Sequence, residues 1–385
     1  LFCSYIIILH IAIIYRLISP CLKAGALRRW MVSYLYYSMS LEKSFSVAIP
    51  VLADSPGVAV ISPPFLLEKF SASDFLCADF CADTVKSPFQ PIMVSFDGKP
   101  VQLGEININC KRSITDFQNP DLIIVPSVGT DFDLSLQINK PYIDWIAKCY
   151  RQGSIVASFC TGALILAESG ILNGKRATTN WCYAEFFKKK YPNIQWHIDQ
   201  LIVDEGSVIT AGGATSYLNL VIHIGRKFLG QQTALRAAKR MLIDVERHSQ
   251  LPYMVFSQHK NHGDEALKKA QIIIEKNFQA PPSFQEIAIS CGLSTRTLLR
   301  KFRATLGLSP SKYLQSVRIE AAKHLLETTN KTIEEISYAV GYEEERSFRR
   351  LFKKLTSISP KAYRAKYGVA VFLNSKDLCS CSGSK

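Results

Sequence analysis

The chain contains no CxxC pair, although it holds 11 cysteines among 385 residues. Cys77-x3-Cys81 and Cys379-x-Cys381 also lack companion Cys or His clusters, so no zinc site is expected, nor any other metal or cofactor. The short, even cysteine spacing of a small secreted scaffold is missing as well, and the thiols are expected to be reduced in the cytoplasm. Long uninterrupted apolar runs are scarce. LFCSYIIILHIAIIYRLI (1–18) is broken by His10 and Arg16 and sits near the minimum length of a membrane span. Residues 1–44 are expected to be an over-extended start rather than an anchor, with translation from Met39 giving a soluble protein; a membrane-tethered regulator is the alternative.

Negative charge is in deficit: 46 Lys and Arg face 32 Asp and Glu, a net charge of +14. The surplus is local. Residues 264–367 carry 19 basic and 11 acidic side chains, which is +8, whereas residues 46–263 carry 20 and 19. One module therefore has the electrostatics to meet phosphate and the other does not.

The basic module repeats itself. SFQEIAISCGLSTRTLLRKFRATLGLSPSKY (283–313) and TIEEISYAVGYEEERSFRRLFKKLTSISPKAY (332–363) align with one inserted residue, pairing Gly292 with Gly341, Phe302 with Phe352, Pro310 with Pro360 and Tyr313 with Tyr363. Ser283 with Glu286, and Thr332 with Glu335, have the spacing of a capping box and each begins a short helix. The two glycines fall where each helix must turn sharply, and a second helix follows, giving a helix-turn-helix. Ser309 and Ser359 precede prolines, an N-cap followed by Pro at the first helical position. The helix after the first copy, about 311–327, is expected to join the two units rigidly. Leu298, Leu299 and Phe302, like Phe348, Leu351 and Phe352, are spaced to face the core. That leaves Arg296, Arg300, Arg346, Arg349 and Arg350 for base edges in the major groove, where Arg bonds guanine O6 and N7 together. Lys301 and Lys353 are placed on phosphate. Glu343–Glu345 lie at a helix N-terminus, where the macrodipole accommodates acids.

On these motifs, residues 264–367 resemble the DNA-binding domain of the AraC/XylS family of transcription regulators. The resemblance rests on Gly341, Tyr342, Phe348, Arg350, Phe352 and Lys353 and on the two S-P-x-x-Y endings. It implies that two recognition helices enter successive major-groove segments on one face of double-stranded promoter DNA. The family pattern usually has a small polar residue where Arg346 stands.

Upstream, short apolar runs alternate with helical patterns. Residues 46–52, 92–96, 122–126, 154–159 and 208–210 read as strands, and 141–151, 161–169, 180–191 and 216–229 as helices. This predicts a parallel α/β sheet of flavodoxin-like type with helices on both faces over 45–230. Residues 231–263 read as a connecting helix and linker, and 368–385 as a disordered tail. SIVASFCTGALILAESGILNGKRATTNW (154–181) is a buried strand that turns at Cys160 directly into a helix, beside free helix amides. It resembles the Cys-centred elbow of the PfpI-like, class I glutamine amidotransferase-like superfamily, as do PDLIIVPSVG (120–129) and residues 209–230. Catalytic members pair that cysteine with a histidine and usually an acid. Here the stretch that usually reads A-T-T-H-W has Asn180 in place of His, and GVAVISPPFLL (57–67) offers no carboxylate. Cys160 is therefore either a small residue fitted to a tight elbow or a ligand-contact or redox residue, in a crevice lined by Cys160, Thr161, Asn180 and Trp181.

The fusion resembles the architecture of the GlxA-type regulators. That resemblance implies a non-catalytic sensor domain that dimerises, a small-molecule effector of nitrogen-containing type, and RNA polymerase as a further partner. The rival reading is a thiol-dependent amidase, hydrolase or aldehyde-acting enzyme carrying a DNA reader. The charge distribution makes a direct prediction: affinity for duplex DNA falls with salt, by roughly a thousandfold between about 50 and 200 mM if about six phosphates are contacted. Titrations at several salt concentrations check this, and a flat response would contradict it.

Overall fold

A computed structural model describes residues 44–70, 87–256, 260 and 262–368. The apolar stretch 1–18, Met39, Cys77, Cys81 and the tail with Cys379 and Cys381 lie outside the described residues. The chain divides into two compact units, one ending at His248 and the next beginning at Ser249.

The first unit is built on a seven-stranded sheet. Its strands are β1 (Phe45–Pro50), β2 (Phe89–Ser95), β5 (Arg112–Ser113), β6 (Leu122–Val125), β7 (Ile155–Phe159), β10 (Ile202–Asp204) and β11 (Val208–Ala211), in the order β10-β11-β7-β6-β1-β2-β5. All neighbours are parallel except β10 with β11. The expected parallel sheet is thus present, and its strands hold the apolar runs read from the sequence. β10 and the hairpin β3 (Val101–Leu103) with β4 (Ile106–Ile108) are three residues each, too short for a periodic signal. A further short pair joins β8 (Arg176–Ala177) to β9 (Gln195–Trp196).

Successive strand residues feed opposite faces, as the period of two requires. Ala48, Ile123, Val125 and Val156 enter one core with α2 (Phe132–Ile138), α3 (Lys140–Arg151), α4 (Ala163–Glu168) and α5 (Ala184–Lys190). Val47, Ile49, Leu122, Ile124 and Phe159 enter the other, with α1 (Gly57–Leu67), α6 (Ser216–Leu229) and α7 (Gln231–Arg240). Helix α1 has no counterpart in the pattern reading, because Pro63 and Pro64 inside it each remove an amide donor. Burial of Val60, Leu66 and Leu67 on the sheet offsets that loss. Helix α7, which the sequence places in the connection, buries Ala234, Ala237 and Ala238 in the core of the first unit.

The second unit is helical: α8 (Glu265–Lys276), α9 (Phe284–Ser290), α10 (Thr295–Leu306), α11 (Pro310–Thr328), α12 (Ile333–Ala339), α13 (Glu345–Thr356) and α14 (Pro360–Tyr367). Both capping boxes form, with Ser283 N–H donating to Glu286 at 2.8 Å and Thr332 N–H to Glu335 at 2.6 Å. Those bonds hold both carboxyls below the usual range, so the boxes persist at neutral pH and weaken only as acid protonates them. Gly292 and Gly341 take left-handed turns, at φ +67° and +89°. The two helix-turn-helix pairs match in length, 7 and 12 residues in each copy.

Each pair has its own core. Leu298 and Phe302 pack on Tyr313 in one, and Phe348 and Phe352 on Tyr363 in the other, with a Phe–Tyr centroid distance of 5.5 Å in both. Leu299, expected inside, is 37% exposed. It takes the helical position of Arg349 in the second copy, on the flank of the helix rather than its buried stripe.

The elbow of the first unit depends on one small residue. A Cβ added to Gly162 would lie 2.4 Å from the Pro126 carbonyl oxygen and 2.8 Å from that of Val125, both backbone atoms at the end of β6. Gly162→Ala is therefore expected to destabilise the first unit by about 1–3 kcal/mol through overpacking. Thermal melting of the variant reads this directly, and an unchanged melting temperature would show that the elbow yields.

Candidate functional site

In the second unit, two side-chain stripes emerge from the duplicated helices. Arg296, Arg300 and Arg303 are exposed on α10 at i, i+4 and i+7, and Arg346, Arg350 and Lys353 are exposed on α13 at the same spacing. Each member lies fifty residues from its counterpart. None of the six side chains forms an ion pair or hydrogen bond with another described residue. The remaining two basic candidates differ. Lys301 pairs with Asp264, the N-cap of α8, and Arg349 pairs with Glu345 one turn back on its own helix. Neither has a basic equivalent in the other copy, where Leu351 and Leu299 stand. The Lys301 ammonium holds the Asp264 carboxyl below its ordinary range. Lys301 is thus spent on tethering α8 to α10, whereas Arg303, passed over in the sequence, completes the first stripe. The fifty-residue register that matches Phe302 to Phe352 already pointed to it.

The stripes are held apart by α11, 19 residues and so about 28 Å long. Its Tyr313 and Val317 enter the first core, and Ile319, Ala322 and Leu326 enter the second. Phe278 packs against both. From the middle of α11, Arg318 donates to the carbonyls of Phe278 at 2.8 Å and Gln279 at 3.1 Å and stacks over Tyr342 at 5.2 Å. Gly341 makes this approach possible, since a Cβ there would lie 2.3 Å from the Gln279 oxygen. Tyr313 and Tyr363 each donate to a glutamate, Glu275 and Glu327, at 2.6 Å. Burial first, and the facing carboxylate second, push both phenols up.

In the first unit, Cys160 sits at the carboxyl end of β7, 6% exposed, with φ +54°. A non-glycine residue in that region costs about 1–3 kcal/mol. The turn is locked from several sides. Cys160 N–H donates to the Gly212 carbonyl at 2.7 Å, Thr179 donates to the Cys160 carbonyl at 2.9 Å, and Thr161 both donates to and accepts from the Val128 backbone, at 2.7 and 3.0 Å. Thr161, 3% exposed, is thereby a clamp on the β6–α2 loop.

The side chain on the sulfur is that of Asn180, whose Nδ2 donates to Sγ at 3.4 Å while its Oδ1 accepts from Cys182 N–H at 3.1 Å. Its amide stands where a histidine base would, but cannot accept a proton near neutral pH. Trp181 follows at the surface, half-buried. Among the described residues no imidazole bonds to Cys160, and His223 is bonded to Asp204 at 2.7 Å.

A carboxylate missed in the sequence lies near this edge. Asp54, just past β1, accepts from Gly129 N–H at 3.0 Å, from Asn139 Nδ2 at 2.8 Å and from Ser135. Both its oxygens are engaged in fastening the β6–α2 loop. Only long-range contacts reveal that role.

A separate cavity of about 240 Å³ opens between β10, α6 and residues 245–248, and Cys160, Thr161, Asn180 and Trp181 do not line it. Among the described residues no group of three or more His, Cys, Asp or Glu is placed to hold a metal ion, and no helix is long and apolar enough to cross a membrane.

An α/β domain with a cysteine elbow lacking its base, joined to a duplicated helix-turn-helix with paired basic stripes, defines a two-domain DNA-binding class. Residues 81–226 match the DJ-1/PfpI family, and residues 287–366 match a helix-turn-helix domain family. The chain therefore joins a DJ-1/PfpI domain to an AraC-type helix-turn-helix domain. It is 26% identical to the HTH-type transcriptional regulator CdhR of Pseudomonas aeruginosa, over 71% of this chain and 81% of that protein. It is also 26% identical to the HTH-type transcriptional regulator GlxA of Rhizobium meliloti, over 57% and 67%. Drosophila melanogaster DJ-1beta superposes with a TM-score of 0.43 at 16% identity, over 52% of this chain and 99% of that one.

The two stripes and the tethered lysine separate by mutation. Arg300→Ala and Arg350→Ala are each expected to weaken specific DNA binding by about 1–3 kcal/mol and to relax preference at a few base pairs. Lys301→Ala should leave base preference intact and cost stability by no more than about 1 kcal/mol, the worth of a half-exposed ion pair. Binding measured against a set of single-base operator variants distinguishes these outcomes.

Proposed function

We propose that the chain is a sequence-specific DNA-binding transcriptional regulator whose DJ-1/PfpI domain senses a small molecule without catalysis. The observation that carries the reading is the residue-for-residue repetition of an unpaired basic stripe on two helices fixed to one spine. A solvated helix face explains one basic helix, but it does not explain why three unpaired basic positions repeat at a fifty-residue interval; Lys354, unpaired where the first copy has Ala304, lies outside that repeat. Relatives such as CdhR and GlxA are named as transcriptional regulators, which supports the same reading.

In this proposal the chain acts in the cytoplasm as a homodimer formed through its first unit, with promoter DNA and RNA polymerase as partners. An effector changes DNA binding only if it binds one arrangement of the dimer better than another. The left-handed Cys160 favours a second reading, thiol chemistry at the elbow, because such turns present nucleophiles in hydrolases. Against it stand the amide of Asn180 on the sulfur and the full engagement of Asp54. Cys160→Ala separates the two. The regulator reading expects no turnover of amide, ester or aldehyde substrates by the parent chain and retained promoter binding by the variant; turnover abolished by Cys160→Ala would overturn it.

A further inference from the structure

The cavity beside β10 has a composition of its own. Its polar lining is Gln200, Asp204, Asn219, His223, Arg226, Arg247 and His248, with Leu201, Ile202, Ile222 and Val245 supplying apolar surface. Asp204 is the one carboxylate among the lining residues, and it is already engaged: His223 Nε2 lies at 2.7 Å, Lys227 Nζ at 3.2 Å, and Gly206 N–H donates at 2.8 Å. The Arg226 side chain forms no hydrogen bond or ion pair with any described residue. The cavity thus offers cationic groups and apolar surface, with its single acid neutralised from within the protein. At about 240 Å³ it falls below the roughly 300–1,000 Å³ of pockets that hold drug-sized ligands, which sets the size of its occupant at that of a small metabolite.

We propose that this cavity binds a small organic carboxylate, with Arg226 meeting the carboxylate and the apolar surface taking the remainder. The proposal deepens the reading of the first unit as a sensor, and rests on it. It also assigns the effector to the anionic class and away from the elbow. One wall of the cavity is the last stretch of the first unit. Asn219 Nδ2 donates to the Asp244 carbonyl at 2.7 Å, Arg247 donates to Thr215 Oγ1 at 2.8 Å, and Leu201 N–H donates to the His248 carbonyl at 3.0 Å. A bound carboxylate therefore touches the residues through which the chain leaves the first unit. An occupant of the elbow lacks that position.

The test uses the full chain and three probes, succinate, isovalerate and benzoate, at matched ionic strength, with choline chloride as the cationic comparison. Melting temperature is followed for the parent, Arg226→Gln and Arg300→Ala. Arg226 is exposed and unbonded, so its replacement leaves the fold intact. The expected result is that at least one carboxylate raises the melting temperature, that its affinity drops at least tenfold in Arg226→Gln, and that it is unchanged in Arg300→Ala. The inference is overturned if no carboxylate acts, if Arg226→Gln responds as the parent does, if the response disappears in Arg300→Ala because the anions sit on the DNA face, or if choline alone acts. Promoter binding by the same samples is measured separately. Its loss in the parent would remove the regulator reading, whereas its retention without any carboxylate response removes this inference alone.

Discussion

Both halves of the DNA-reading unit depend on a single helix that belongs to two cores at once. Helix α11 gives Tyr313 and Val317 to the first core and Ile319, Ala322 and Leu326 to the second, so neither helix-turn-helix can shift along it without opening its own interior. Each buried aromatic contributes about 1.5–3 kcal/mol, far above thermal energy. Arg318 adds a lateral fastening through the carbonyls of Phe278 and Gln279, and Gly341 removes the atoms that would obstruct it. In the proposed reading, two stripes mounted this way reach a duplex with their separation already set. Little ordering entropy then remains to be lost on binding.

The first unit shows the opposite economy. Its elbow keeps the strained backbone that presents a nucleophile, yet every group around it has been turned to holding the loop. Thr161 clamps Val128, Asp54 fastens Gly129, Ser135 and Asn139, and Asn180 caps the turn that follows. Among the described residues the side chain on the thiol is an amide, Asn180, which donates to it. The cavity by β10, which the elbow residues do not line, is bounded by the segment that leads out of the first unit.

The parts of this structure visible in the sequence were those set by neighbours along the chain. Ser283 and Glu286, Gly292, and Ser309 with Pro310 announce their turns because caps and left-handed glycines act over three or four residues. Strands β1, β6 and β7 are visible because apolar side chains run together where a sheet is covered on both faces. What stayed hidden is non-local. Lys301 and Arg303 look alike in the sequence, and only the fold brings Asp264 to one of them. Asp54 reads as a loop acid until its three donors, from residues 129 to 139, are seen around it. Helix α1 conceals itself behind two prolines, and the cavity is assembled from stretches about forty-five residues apart.

The two copies in the second unit follow one another in the chain and share α11, which contributes to both cores. They are also unequal, since Glu343 and Glu344 precede the second recognition helix, which opens with Glu345 and has Arg349 tied back to it. A text read by such a pair has a beginning and an end. In the proposed reading, the operator segment for one chain is therefore not a palindrome but a vector, and reversing it presents each stripe with the other's letters.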